Sequence, residues 1–177
     1  MTYLKKYIAI LLFILGYFTI TSSTHNQPSN TEYKVQTLLI YNFTKYIKWS
    51  TSSNEFVIVV YGNSPIISYF NQLKAAKQVN GKVIVVKTIS PGDKLPPCDL
   101  LYIDDEYIKQ AESQFTKGSL HDVLVVTNTN PISMRLSCIN LKQVDDSYKF
   151  EINNTITSIN NLEVSSSLLN LAVKVYK

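Results

Sequence analysis

The side chains of this sequence that are able to do chemistry are few and dispersed. Asp104-Asp105-Glu106 follow one apolar run and Glu151 sits inside another; His25 and His121 are the only histidines, Cys98 and Cys138 the only cysteines. General acid–base work needs a second carboxylate or a histidine across a cleft, and the spacing supplies neither for Glu151. Its expected place is an ion pair with Lys45 or Lys149, or a sheet edge. Three adjacent acids behind a strand read as a solvated cap on the first turn of a helix. One histidine in a polar tail and one at a loop junction do not build a metal site. Neither cysteine has a histidine near it in sequence, and apolar neighbours raise a thiol's pKa. The residues therefore describe a protein that is not an enzyme and that uses no cofactor.

Two segments offer binding instead. Gly62-Asn63-Ser64 follows an apolar strand and Pro65 opens a helix. Open α/β sheets hold their ligands at such strand ends, and a helix N-terminus favours anions. One glycine and one serine fall short of a G-x-G-x-x-G loop, so a tight strand-to-helix turn is the plainer reading. A small-molecule site in the strand-end cleft near Asn63 and Ser64 is the alternative. The second segment, Leu39–Trp49, gathers Phe43, Tyr46 and Trp49 at a helix end. Phe43 belongs to a core by its spacing. Asn42, Lys45, Tyr46 and Trp49 form an edge with the aromatic and polar character of a partner-binding surface.

An alternation of helices and strands has to position these segments. Ser29 and Glu32 make an S-x-x-E capping box. Val35, Leu38, Leu39, Phe43, Tyr46 and Ile47 recur at three- and four-residue steps, which predicts a first helix with those residues inward. Phe56–Tyr61 is a continuous β-branched and aromatic run, the habit of a strand covered on both faces. A helix to about Ala76, a second buried strand at Val83–Val86, a third at Asp99–Ile103, a helix over 105–117 ended by Gly118, and a fourth strand at Val123–Val126 follow. Leu136–Leu141 and Tyr148–Ile152 flank the turn Val144-Asp145-Asp146-Ser147 as a hairpin, and Ser165–Tyr176 reads as a terminal helix. The expected fold is α/β: a mostly parallel central sheet with helices on both faces, plus a C-terminal β-hairpin and helix.

With 177 residues, 45% of them hydrophobic, the chain has enough apolar material for one core and not for two. Lys5 and Lys6, the apolar run Tyr7–Ile20 and the small residues Thr21 and Ser23 read as an export signal over residues 1–23. The run is shorter than the roughly 20 apolar residues of a membrane span. A short polar tail, 24–30, and a single domain, 31–177, come after it. Cleavage would lower the net charge of +4 by two. The remaining lysines are dispersed, without the clustered footprint that nucleic acid requires. In an exported chain, two cysteines allow one disulfide, Cys98–Cys138, or two small buried thiols.

Eight pieces of the chain, in register, resemble the YfiR family of small exported proteins over about residues 32–173. They are LIYNFTKYIKW (Leu39–Trp49), FVIVVYGNSPI (Phe56–Ile66), NGKVIVVK (Asn80–Lys87), CDLLYID (Cys98–Asp104), VLVVT (Val123–Thr127), CINL (Cys138–Leu141), KFEIN (Lys149–Asn153) and SSSLLNLA (Ser165–Ala172). The resemblance implies an α/β fold, residence in the periplasm of a Gram-negative bacterium, and a homodimer. It also implies a partner: the periplasmic domain of an inner-membrane signalling protein, a diguanylate cyclase in the best-understood members, which is held inactive by direct contact. An outer-membrane lipoprotein sequesters the regulator in those members, and release of the cyclase raises cyclic-di-GMP and favours biofilm growth. The sequence departs from the family where Ser133-Met134-Arg135 replaces a glycine pair and where Asn160-Asn161 replaces a glycine. Cys98 stands at a family cysteine position, but the family's two disulfides need more cysteines than this chain has.

Overall fold

The computed structural model describes residues 29–49, 53–145 and 147–177. The expected export signal, the tail as far as residue 28 and Asp146 of the hairpin turn lie outside the described residues. Ser29 caps the first helix, α1 (Asn30–Phe43). Its Oγ accepts from the Glu32 N–H, and the Glu32 carboxylate accepts from the Ser29 N–H, so both orphan donors are satisfied reciprocally. A 3-10 turn, Thr44–Tyr46, leads from α1 into the short strand β1 (Ile47–Lys48).

The inward face of α1 differs from the apolar periodicity. Tyr33, Gln36, Thr37, Ile40 and Phe43 are buried, whereas Leu38 is 48% exposed and Val35 lies outside as well. Gln36 and Tyr33 belong inside because polar groups beneath them meet their side chains. A pattern of apolar residues does not register such positions.

The main sheet takes its strands from β2 (Glu55–Tyr61), β3 (Gln78–Val79), β4 (Lys82–Ile89), β5 (Leu100–Ile103), β6 (Leu124–Thr127), β7 (Ile139–Val144), β8 (Ser147–Asn153) and β10 (Lys174–Tyr176), in the spatial order β10-β8-β7-β6-β5-β2-β4-β3. All neighbours are parallel except the hairpins β7/β8 and β3/β4. Strands β5 and β6 are buried from end to end, as their unbroken apolar runs require. Strand β4 is not a fully buried strand: Val83 is 55% exposed although it pairs with Gln78 of β3, and Lys87 and Thr88 are exposed as well.

Helix α2 (Ile66–Ala76) follows β2 and α3 (Ile108–Gln114) follows β5. Residues in register share a sheet face, so Tyr102, opposite Val60, points one way and Tyr61, the next residue, the other. Tyr102 packs on Phe70 of α2 and bonds Gln36 of α1. Tyr61 packs edge-on against Tyr107 and Phe115 around α3. Helices therefore cover both faces of a mostly parallel sheet.

The C-terminal part runs through α4 (Asn154–Ile159), β9 (Glu163–Val164) and α5 (Ser166–Leu171) before β10. The terminal helix is thus shorter than the expected Ser165–Tyr176. Ala172 is extended and the chain continues as a strand parallel to β8. The β-branched Val173 and Val175 suit a strand, and pairing there covers the outer edge of β8. Asn161, in the pair that replaces a family glycine, holds φ +59°, a region asparagine tolerates better than most residues.

From β2 the chain crosses through α2 to β4 on one side, then returns past β2 to β5 on the other. The crevice between the C-terminal ends of β2 and β5 is therefore the topological switch point, the place where doubly wound sheets bind ligands.

Candidate functional site

The switch-point crevice is built by the two segments that the sequence places at strand ends. Gly62 stands at φ +83°, and a Cβ there would come within 2.5 Å of the Tyr107 ring; its N–H donates to the Ile89 carbonyl at 2.8 Å. Asn63 is exposed. Ser64 is buried, accepts the Ile66 N–H at 3.3 Å and is hydrogen-bonded to the Tyr33 side chain. The turn is thus tied to α1 through Ser64 while Asn63 stays open to solvent.

Asp104 departs from the expected solvated cap. It is 4% exposed and gives no side-chain bond to the helical turn that follows. Its Oδ1 instead accepts from Tyr102 Oη at 2.8 Å and Asn128 Nδ2 at 2.7 Å, while Asn128 Oδ1 accepts the Asp105 N–H at 2.9 Å. Tyr102 Oη also lies 2.8 Å from Gln36 Oε1, and Gln36 Nε2 donates to Tyr148 Oη at 3.2 Å. The single phenolic proton of Tyr102 can serve only one of its two acceptors at a time. Asp104 Oδ2 has no hydrogen-bond partner.

Burial, followed by the Asp104 charge and hydrogen bond, drives the Tyr102 phenol well above the ordinary tyrosine range. Tyr33 is raised by burial and then by Asp104, with its bond to Ser64 opposing; Tyr148 is raised by burial as well. These phenols stay neutral at physiological pH. Tyr33, Gln36, Tyr102, Asn128 and Tyr148 escaped sequence reading. The one local signal was an acid set directly behind a fully apolar strand.

The edge expected from the sequence to bind a partner lies elsewhere. Lys45 Nζ donates to Asn42 Oδ1 at 2.9 Å and sits 4.7 Å over the Tyr41 ring, with Asn42 and Lys45 both exposed. Tyr46 is 40% exposed, while its carbonyl accepts the Ser165 N–H at 2.9 Å. β1 pairs antiparallel with β9, and Lys48 meets Glu163 at 3.0 Å on the surface. Trp49 is anchored: its Nε1 donates to the Thr44 carbonyl at 3.1 Å and its ring meets Phe56 edge-on at 5.0 Å. It also walls a groove of about 580 Å³ with Asn154, Ser158, Asn161 and Leu169. The two predicted binding segments are not brought together. Trp49 meets Phe56 at the start of β2, whereas Gly62–Ser64 follow its end, a separation of roughly 3.3 Å for every residue of the strand.

The disulfide expectation is corrected: Cys98 and Cys138 are free thiols. Cys98 precedes β5 and Cys138 precedes β7, with β6 between them. Two strand spacings, about 9.5 Å, exceed the Cα separation of about 7 Å that a disulfide can bridge. Burial pushes Cys98 up to about 12 and Cys138 up to about 11. Glu151 pairs with neither Lys45 nor Lys149. Lys142 lies 3.9 Å away, its diagonal neighbour across the hairpin, and Asn140 Nδ2 and Tyr176 Oη donate to it at 3.4 Å each.

Fold and site together define a doubly wound α/β domain whose switch-point crevice is lined by its own polar side chains and whose surface edge is aromatic and mixed in charge. The chain belongs to the YfiR/HmsC-like family, whose model (DUF4154) matches residues 33–173. No curated protein matches it. Membership carries the family's general description: periplasmic, regulatory and tied to cyclic-di-GMP signalling. Among the described residues, no helix is long and apolar enough to cross a membrane.

Proposed function

We propose that this protein is a periplasmic regulator that controls an inner-membrane signalling protein, a diguanylate cyclase or a sensor kinase, by direct contact and without chemistry of its own. The observation that carries this reading is the family match across nearly all of the folded domain. Binding favours the inactive arrangement of the partner's periplasmic domain, and a stimulus that weakens binding lets the partner switch. An outer-membrane lipoprotein competing for the regulator, and a homodimer of the regulator itself, complete the scheme.

The contact surface in this reading is Asn42, Lys45 and Tyr46, with Trp49 as its support. Tyr46 is held through its backbone while its ring is half free, so Tyr46→Ala removes a contact and leaves the fold. Trp49→Ala is a poorer probe, because it also strips a packing partner from Phe56. The expected outcome is a loss of partner capture on the order of thirtyfold for Tyr46→Ala, the loss of a hot-spot residue, measured by binding to membranes that carry the partner. Unchanged capture by a folded Tyr46→Ala variant would contradict the assigned surface.

A further inference from the structure

We propose that the crevice around Asp104 is a site for a small monovalent cation, either an alkali ion or the ammonium group of an amine. The inference is independent of the regulatory reading and concerns the opposite end of the sheet.

Asp104 is almost wholly buried, and its Oδ2 has no hydrogen-bond partner. It takes no part in the ion pairs Lys48–Glu163, Lys142–Glu151 and His121–Asp122. A buried carboxylate without a counter-charge is costly unless something supplies positive charge or donors. The surroundings are short of donors. Oδ1 already takes the Asn128 amide, and the one proton of Tyr102 is divided between Asp104 and Gln36. Glu106 adds to the negative field that Asp104 exerts on Tyr33.

One uncompensated carboxylate calls for one positive charge. The groups that meet its carboxylate, Tyr102 Oη and Asn128 Nδ2, and the Tyr33 phenol that feels its charge are all neutral. Among the described residues, no three Asp, Glu, His or Cys side chains gather in the manner of a metal centre, so a divalent ion is poorly matched. A weakly hydrated monovalent ion fits neutral hydroxyls around a single carboxylate, and an ammonium offers N–H donors to the same lone pairs. The position agrees with the fold, since the site lies at the switch point between β2 and β5.

The test is thermal unfolding of the purified protein at fixed ionic strength, with choline chloride replaced stepwise by sodium, potassium, ammonium or methylammonium chloride. Asp104→Asn is run beside it. That change keeps an oxygen to accept from Tyr102 and Asn128 while removing the charge. The expected result is a rise of about 3 °C in Tm once the right ion exceeds roughly ten times its dissociation constant, absent in Asp104→Asn. The variant should also equal or exceed the wild type in choline. A response to sodium or potassium identifies an alkali-ion site; a response confined to ammonium and methylammonium identifies an amine site. Equal shifts in both proteins, no shift with any ion, or an Asp104→Asn variant less stable than wild type in choline would overturn the proposal, the carboxylate then being served by water alone. If the variant does not fold, crystals of the unaltered protein soaked in thallium(I) acetate decide: an anomalous peak beside Asp104 Oδ2 supports the site, and its absence removes it.

Discussion

Gly62 holds a left-handed backbone with the Tyr107 ring where its side chain would be. Gly62→Ala should therefore cost about 2 kcal/mol, by backbone strain and displacement of that ring, read from urea melts. Three buried tyrosines, Tyr33, Tyr61 and Tyr102, and the half-buried Tyr148 ionise above the ordinary value of 10.0 in the folded protein. The unfolded chain releases those protons first, so the stability they contribute is complete below about pH 10 and is lost as pH rises beyond it. Cys98 and Cys138, raised from an ordinary value of 9.0, add a loss that begins at lower pH, so urea midpoints should start to fall between pH 8 and 9 and fall more steeply above 10. Tyr61→Phe should soften the fall, because Gln114 Oε1 keeps the Gly92 N–H when the phenol is gone. With Cys98 near 12 and Cys138 near 11, on the order of one thiol in a thousand or fewer is ionised at pH 8. Iodoacetamide should label neither until the protein is denatured. The sequence made the glycine turn and the poor thiol reactivity legible, since both depend on near neighbours. It did not make Asp104 legible as a buried acid, because its partners Gln36, Tyr102 and Asn128 arrive from separate elements.

The elements were readable where one period dominated. The capping box of α1, the apolar runs of β2, β5 and β6, and the β7/β8 hairpin all stand near the positions that local pattern assigns. Pattern failed where a tertiary partner decided: α1 turned to bury Gln36 in place of Leu38, the last residues became β10 to cover β8, and the β1/β9 ribbon joins segments far apart in sequence. The rotation of α1 is testable. Ile40→Ala should destabilise by about 3 kcal/mol, whereas Leu38→Ala should stay within about 0.5 kcal/mol, in chemical denaturation. Matched losses would restore the face that apolar spacing alone suggests.

Across the whole molecule, β2 separates two surfaces. At its start lies the aromatic edge by the β1/β9 ribbon; at its end lies the buried polar cluster around Asp104. A regulator needs a contact face that is free and a fold that holds it still, and the arrangement provides Tyr46 beside the anchored Trp49. The measurement that bears most directly on the regulatory claim is site-specific photocrosslinking in the producing cells, with a photoreactive residue at Lys45 and, as a control, at Lys94 on the loop between β4 and β5. The account predicts an adduct from position 45, and not from 94, with an inner-membrane signalling protein that has a periplasmic sensor domain. No such adduct from 45, or the same adduct from both positions, would contradict it.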